Sequence, residues 1–394
     1  MNLELAQTTK KSLLDDPKTL RRLETNHRKN KEQDHTRLLD EAARAFRYED
    51  CKDAYWNPEP FSLMYGTPIW DQASPSQRVL LNQLYWVAYY SQIISAEIAT
   101  IFFNQTAGAA LYGIEDFRLV CDTLDLESSQ ERAHIGAFKK ISEDVETALF
   151  GERVFSYAMR GPYGETMIYA DTDRFRSAWK AAQLRAYTLL SSSNAFIGCQ
   201  YFTVRGVRTL NGKIVQHQLS QYYQKAPDKD AMPIPARVSF YHFMDESFHF
   251  NSSMVISKDV VNSLPDPTRA ESLVANTALL GCQKDHYNFC TAVNGIFWFD
   301  PAIFASIEKV LRSPIFGLDE AGARALIEKS FCEENDGMHA SQKTHRTALD
   351  SYKQYLSDMK YVWKPNKEMS VMGKNTLASH LETNRRAFRA YARA

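Results

Sequence analysis

The chain has 394 residues, of which 44% are hydrophobic and 24% are charged, a composition typical of a globular protein with about one to three domains. Its 47 basic residues balance its 47 acidic residues, so no net positive charge favours nucleic acid or an anionic membrane as a partner. No uncharged apolar run has the length of a membrane span, no signal-peptide pattern opens the chain, and the six cysteines are scattered like reduced thiols. We therefore expect a cytoplasmic protein.

The N-terminal region, residues 1–75, is polar and highly charged at first and then rich in proline and turn residues. It predicts an exposed helix or a loosely ordered arm followed by a loop. From about Gln77 to Gly113 the chain contains no proline and is apolar almost all the way round. That pattern is typical of a long helix in the middle of a bundle. A second helix is predicted at about 128–150.

Further helical segments follow a stretch of glycine and proline turns. One is predicted from about Phe175 to Arg208, with the Asn211–Gly212 pair as a break or kink before the helix resumes. Strand-type alternation is scarce along the chain, and no internal repeat occurs. The sequence therefore predicts an all-α fold: one helical domain over 76–394, with a four-helix bundle core at about 78–255 and additional C-terminal helices.

Two of the predicted helices carry the motif Glu-x-x-His. The first copy is Glu131 with His134, and the second is Glu246 with His249 in the stretch "YHFMDESFHF". Because residues three or four apart lie on one helical face, each copy presents a carboxylate and an imidazole in the same direction. Two such motifs, together with a glutamate from each of two other helices, form the carboxylate-bridged dimetal sites of helical bundles.

Glu97 is the acid expected from a third helix. It is the lone carboxylate at the centre of the most apolar segment, where an unpaired charge is costly. It precedes Glu131 by 131 − 97 = 34 residues, which is enough to leave one helix, turn and return in the antiparallel direction. Around it, apolar residues are expected to wall a hydrophobic pocket. These are Ile93, Ile94, Ile98, Ile101, Phe102 and Phe103.

The fourth helix lacks the expected glutamate, because none occurs between Glu165 and Glu246. The strong ligand type in that interval is His217, which precedes Glu246 by 246 − 217 = 29 residues. We therefore predict that His217 replaces the fourth carboxylate. The second motif also has an additional histidine, His242, one turn before its glutamate. The predicted metal ligands are Glu97, Glu131, His134, His217, His242, Glu246 and His249.

At these residues, over roughly 80–250, the chain resembles the ferritin-like diiron oxidase and oxygenase superfamily. Within it, the p-aminobenzoate N-oxygenase group of arylamine oxygenases is similar in combining a lone glutamate, a Glu-x-x-His motif and a His-x-x-x-Glu-x-x-His motif. The first histidine of that last motif corresponds to His242. The resemblance implies a ferritin-like bundle and an O2-dependent oxygenase that acts on a small organic molecule, with N-oxygenation of an amine preferred. C-hydroxylation, desaturation and a non-catalytic metal-binding protein are the alternatives.

The same resemblance implies two iron ions as cofactor, or a manganese–iron pair held by the same ligands, with O2 as co-substrate. Because the sequence shows no flavin or nicotinamide motif, electrons are expected from an external ferredoxin or reductase. A homodimer is also compatible with the resemblance. Neither a nucleic acid nor a membrane is expected as a partner.

Simpler structural interpretations remain open for several of these residues. Ser128 and Glu131 also fit a capping box at a helix start. Glu97 fits a buried acid paired with an arginine, and His217 fits an exposed helix residue. His242 fits a residue that orients a ligand without binding metal, and Asp245, on another helix face, either orients a ligand or faces solvent.

Two further clusters are interpreted as structural. Cys282, His286 and Cys290 are spaced like one packed helix face, and no partner set for a zinc site is evident. The segment with His339 and His345 predicts a surface loop.

Overall fold

Fourteen α-helices, joined in part by short 3₁₀ and π turns, make up the regular structure in the computed structural model, and no strand occurs among the residues that it describes. The described residues are 12–155, 174–226, 228, 231–290 and 303–393. The helices are α1 (Pro17–Glu32), α2 (Thr36–Ala45), α3 (Pro68–Gln72), α4 (Pro75–Leu111), α5 (Arg118–Phe150), α6 (Arg174–Ser193), α7 (Ala195–Gln224), α8 (Ile234–Val255), α9 (Arg269–Cys290), α10 (Phe304–Arg312), α11 (Glu320–Cys332), α12 (Asp336–Leu356), α13 (Lys364–Lys367) and α14 (Leu377–Tyr391). The prediction of an all-α fold is confirmed.

A capping box defines the start of α4, the longest helix. The Ser74 hydroxyl accepts a hydrogen bond from the backbone N–H of Gln77, and the Gln77 side chain accepts one from the backbone N–H of Ser74. Pro75 occupies the first helical position, where a missing N–H costs nothing. The helix is buried on most of its circumference between Leu80 and Ile93, as expected for a helix in the middle of a bundle.

Helix α5 begins ten residues earlier than predicted, at Arg118 instead of 128, directly after a 3₁₀ turn. Ser128 consequently lies in the middle of the helix, where its hydroxyl donates to the carbonyl of Leu124 at 2.7 Å. The capping-box interpretation of Ser128 is therefore wrong, since no helix starts there. The helix ends at Gly151, whose φ of 68° is the left-handed conformation that favours glycine at a helix end.

The break in the following helical region lies at Asn194 and not at Asn211–Gly212. The Asn194 side chain accepts a hydrogen bond from the backbone N–H of Ile197 and so caps α7. Helix α7 then continues through Asn211–Gly212 to Gln224. The predicted break is wrong because one helical glycine costs only about 1 kcal/mol relative to alanine, which tertiary packing readily offsets.

The four long helices α4, α5, α7 and α8 pack together. Helix α4 packs against α5 and α7, and α8 packs against the same two helices. The indole N–H of Trp86 on α4 donates to the Pro235 carbonyl and the Ser239 hydroxyl of α8. Helices α1 and α2 pack on α5 and α8, and the division at residue 75 stays a prediction. Within the described residues no helix combines the length and the apolar character needed to cross a bilayer.

Candidate metal centre

Three helices bring buried carboxylates and imidazoles together in the interior of the protein. In one group, ligand atoms of Glu97, His134, His242 and Glu246 all lie within 4.8 Å of one another. In a second group, Glu127, Glu131 and His249 satisfy the same limit. Six of the seven predicted ligands therefore converge, joined by Glu127, which the sequence prediction did not include. We call these seven residues the carboxylate–histidine cluster.

The local helix geometry explains why α5 and α8 present these side chains together. Glu127, Glu131 and His134 stand at offsets of 0, 4 and 7 along α5. His242, Glu246 and His249 repeat the same offsets along α8. Such spacings align side chains along one stripe of a helix. Helix α4 adds Glu97, which is only 5% exposed.

Two of the carboxylates lie between the two groups. Glu246 Oε1 is 3.5 Å from His242 Nε2 and 3.0 Å from His249 Nδ1. Glu131 Oε2 is 3.2 Å from His134 Nδ1, and its Oε1 is 3.4 Å from His249 Nδ1. Each of these glutamates therefore contacts one histidine of the first group and one histidine of the second group. This is the position that a bridging carboxylate would occupy.

Hydrogen bonds from outside the cluster orient two of its histidines. His134 Nε2 lies 3.2 Å from Asp245 Oδ2, and Asp245 Oδ1 accepts from both the backbone N–H and the Nδ1 of His35 at 3.0 Å. Because a carboxylate only accepts, His134 Nε2 carries the proton and its Nδ1 faces the glutamates. Buried partners of this kind fix the ring orientation of metal-binding histidines. Of the two interpretations of Asp245, the structure supports the orienting one.

His249 has a different outer partner, an amide. Its Nε2 lies 2.8 Å from Gln130 Oε1. Gln130 exchanges two hydrogen bonds, of 2.9 and 3.0 Å, with the side chain of Asn30 on α1. His242 is instead enclosed by rings, since Phe138 meets it edge-on at a centroid distance of 4.9 Å and Tyr90 at 5.7 Å. The three histidines therefore differ in the groups that support them.

The electrostatics of the cluster reflect crowded carboxylates in a buried space. Burial raises the pKa of Glu97 well above its usual value, and the charges of Glu131 and Glu246 raise it further. Burial alone would lower the pKa of His134, but hydrogen bonds with Asp245 and Glu131 raise it to about 9. Protons therefore compete for these ligands, and a metal ion that binds here must displace them.

The residues of the cluster fit a pair of metal ions. Among the described residues, Glu97 Oε2 and Glu127 Oε2 are buried and have no hydrogen-bond partner, which is costly for a carboxylate unless a cation binds it. Mixed carboxylate and imidazole ligands suit iron and manganese. The alternative in which an arginine neutralises Glu97 finds no support, since the ion-pair partners of Glu97 among the described residues are His134 and His242.

His217 does not lie in the cluster. It is exposed on α7, and its Nε2 is 2.9 Å from Gln221 Nε2 one turn along the helix. The prediction that it replaces a fourth carboxylate is therefore wrong, because its side chain lies on an exposed part of α7. A different residue of α7, twelve positions earlier, reaches the cluster. That residue is Arg205, which is 6% exposed and paired with Glu127.

A cavity of about 50 Å³ adjoins the cluster next to Glu246, whose side chain is 22% exposed. It is lined by Arg205, Gln216, Phe243, Glu246, Ser247, Phe250 and Ser253. None of the six apolar α4 residues expected to wall a pocket lines it. The side chains of α7 and α8 decide its character, so it is partly polar.

One signal in the sequence would have revealed more of the site. The 0, 4, 7 spacing of the α8 ligands recurs at Glu127, Glu131 and His134, and this repetition identifies Glu127. By contrast, no local pattern marks Arg205, Gln130 or Asn30, which reach the site only through helix packing. The sequence prediction for His345 is also wrong, since it is buried within α12 and not in a surface loop.

The cysteine–histidine cluster is only partly described. Cys282 is buried and accepts a hydrogen bond from Arg208 Nε at 3.0 Å. The side chains of His286 and Cys290 lie outside the described residues, so their predicted packing stays a prediction. The five described cysteines are free thiols.

Comparison with known proteins identifies one family. The family described as acyl halogenase, CylC-like, matches residues 18–392, a range that includes every residue of the cluster. No curated protein and no solved structure matches the chain. The match overturns the resemblance to the ferritin-like diiron oxidase and oxygenase superfamily, including its p-aminobenzoate N-oxygenase group, and the amine N-oxygenation that it implied. It gives no support to hydroxylation or desaturation. Similar ligand spacings serve unrelated chemistries, so the motif alone did not identify the reaction. The chain belongs to the CylC-like acyl halogenase family.

Proposed function

We propose that this protein is an enzyme that replaces a hydrogen of an acyl chain by a halogen at a two-metal site. The observation that supports the proposal is the pair of buried carboxylate–histidine groups, which lies within the range matched by the acyl halogenase family. Glu97, His134, His242 and Glu246 would hold one ion, and Glu127, Glu131 and His249 would hold the other. Iron suits these ligands.

The reaction needs an oxidant. Exchanging a C–H hydrogen for a halogen taken from a halide ion removes two electrons from the pair of reactants. A bound pair of iron ions would supply redox chemistry with O2. We therefore retain O2 as co-substrate and an external electron donor within the proposal. The pairwise packing of α4, α5, α7 and α8 favours a ferritin-like bundle as the scaffold.

The residues of the chain would hold the ions and keep the centre dry. Asp245 and Gln130 fix the ring orientations of His134 and His249, so that one imidazole nitrogen of each faces the carboxylates. Five of the seven cluster residues are less than 2% exposed, which limits hydrolysis and side reactions with bulk water. Glu246 is the most exposed of the seven and lies beside the cavity, so small reactants would reach the centre there.

A groove on the surface suits an acyl substrate that carries an anionic group. It encloses about 840 Å³ between α1 and α8. Lys18, Arg21 and Lys29 line one wall, while Phe248, Met254 and Val255 supply an apolar floor. Cations attract an anionic carrier group, and the apolar floor favours an alkyl chain.

The proposal is tested by metal loading followed by product analysis. Anaerobic addition of ferrous iron should give about two metal ions per chain. Exposure to O2, bromide, a reductant and acyl thioesters should then give a product with the bromine isotope pattern in mass spectrometry. Metal below one ion per chain, or full metal without any halogenated product across acyl chain lengths, would contradict the proposal.

Matched variants distinguish loss of the metal site from loss of the fold. Glu131→Gln and His134→Gln should each lower metal content and product by about tenfold or more, because each removes a buried ligand. Glu146→Gln is the control on the same helix: Glu146 is 1% exposed but bonds the backbone N–H groups of Val154 and Phe155. His217→Ala is a second control, and we expect both controls to retain the metal.

A further inference from the structure

We propose that the cavity beside Glu246 is a halide-binding site and that Arg205 is the residue that binds the anion. This inference rests on the proposed function, because a halogenase needs a halide as a reactant. It names a residue on α7 that lies outside the predicted ligand set.

Arg205 is a buried cation in direct contact with the cluster. Its Nη1 pairs with Glu127 Oε1, and its Nη2 lies 3.9 Å from Glu131 Oε1. The same side chain lines the cavity together with Glu246. A guanidinium carries five N–H donors and is weakly hydrated, so it pairs well with anions in dry surroundings. Arg205 therefore connects the second metal-ligand group to the cavity.

The charges of the cluster favour one additional anion. Four glutamates, at positions 97, 127, 131 and 246, carry four negative charges when ionised. Two divalent ions would balance these four charges, and histidines bind metal in the neutral form. Arg205 adds one positive charge on the side of the cluster that faces the cavity. Asp245 does not line the cavity, because it lies on the far side of the His134 ring.

The remaining lining of the cavity suits a small spherical anion. Gln216 brings an amide group, and Phe243 and Phe250 bring aromatic rings, whose edges are positive. A volume of about 50 Å³ exceeds the roughly 10–15 Å³ that one water needs. It is too small for an acyl chain. Chloride or bromide is therefore the class of ligand that the cavity fits.

Crystals of the wild-type protein loaded with ferrous iron and soaked in bromide test the site directly. We expect an anomalous bromine peak in the cavity within about 3.5 Å of a guanidinium nitrogen of Arg205, the reach of a charge-assisted hydrogen bond. Bromide peaks confined to the surface, or a peak on the cluster away from Arg205, would overturn the inference. This experiment needs neither a variant nor turnover.

A chloride titration of the cobalt-loaded protein, followed by its visible absorption, tests the role of Arg205 in solution. Arg205→Gln should weaken chloride binding by about tenfold or more, and Arg205→Lys should weaken it less. Arg208→Gln, one turn along α7, is the matched control, because Arg208 bonds Cys282 and does not line the cavity. Unchanged chloride affinity in Arg205→Gln with full metal content contradicts the inference. If that variant loses metal, the bromide position in the wild-type protein decides.

The two proposals fail in different ways. Bromide bound at Arg205 without any halogenated product would support the halide site and contradict the proposed reaction. Halogenated product with bromide bound elsewhere would support the proposed reaction and contradict the halide site.

Discussion

At the scale of single residues, the buried cluster depends on side chains that do not belong to it. Asp245 is fully buried and accepts three hydrogen bonds, one from His134 and two from His35. Burial would raise the pKa of Asp245, but the hydrogen bonds from His134 and His35 lower it to about 2. The carboxylate is therefore ionised and fixes the orientation of the His134 ring, with a proton on Nε2.

Asp245→Asn should weaken metal binding by about tenfold to a hundredfold, while the helices remain folded. The amide is neutral and stabilises the His134 Nε2–H less. Competition with a chelator measures the affinity, and circular dichroism checks the helix content. Asp259→Asn is the control, since Asp259 pairs with Arg22 near the surface. Equal affinities of the two variants would show that Asp245 does not position His134.

At the scale of elements, α7 packs closely against α12 at Gly206, the residue after Arg205. A Cβ at Gly206 would lie 2.6 Å from Tyr355 Cζ of α12, a distance that forces a shift. The Tyr355 hydroxyl donates to Ser257 Oγ at 2.8 Å. Glycine at 206 therefore allows α7 and α12 to approach each other closely.

Gly206→Ala should lower the free energy of unfolding by about 1–3 kcal/mol, because the Tyr355 ring has to move within a packed core. Gly281→Ala in α9 should instead raise it by about 0.5–1 kcal/mol, since nothing lies within 4 Å of the added methyl group. Denaturant titration measures both. A Gly206→Ala protein as stable as Gly281→Ala would contradict the close approach.

At the scale of the whole molecule, two buried histidines on the C-terminal helices make the free energy of unfolding depend on pH. Burial lowers the pKa of His345 on α12 to about 4. Burial, with a smaller effect from His345, lowers the pKa of His380 on α14 to about 4. Between pH 6.5 and 4 the unfolded chain binds more protons than the folded chain, so the stability falls as the pH falls.

The free energy of unfolding should therefore drop between pH 7 and pH 4, by on the order of 1–3 kcal/mol per histidine. Urea titrations at several pH values measure the slope. His345→Gln should flatten this slope, whereas His339→Gln should leave it unchanged, because His339 is exposed and pairs with Glu334. The explanation fails if His345→Gln keeps the full slope.

The basic groove between α1 and α8 makes a prediction about substrate affinity. Combining Lys18→Glu with Arg21→Glu should weaken binding of an anionic acyl thioester by about tenfold, and added salt should reduce the difference. Lys343→Glu with Lys353→Glu on α12 changes the net charge equally at a site away from the groove. Similar losses in both double variants would rule out the groove as the binding surface.

The sequence by itself determined the helical class and most of the cluster. Helical periodicity is a local property, so the offsets within "YHFMDESFHF" place His242, Glu246 and His249 on one stripe in any helix. The cost of a buried charge likewise singled out Glu97 within an apolar segment. These inferences needed only neighbouring residues.

Only the tertiary structure decided which groups from distant parts of the chain reach the cluster. Arg205 and not His217 reaches it, because His217 lies twelve residues, about 18 Å, further along α7 and is exposed there. Asn30 and His35 lie 100 and 210 residues from the partners that they contact, a separation that no local pattern encodes. The family match pointed to the kind of reaction that we propose, since the same ligand spacing is compatible with several reactions.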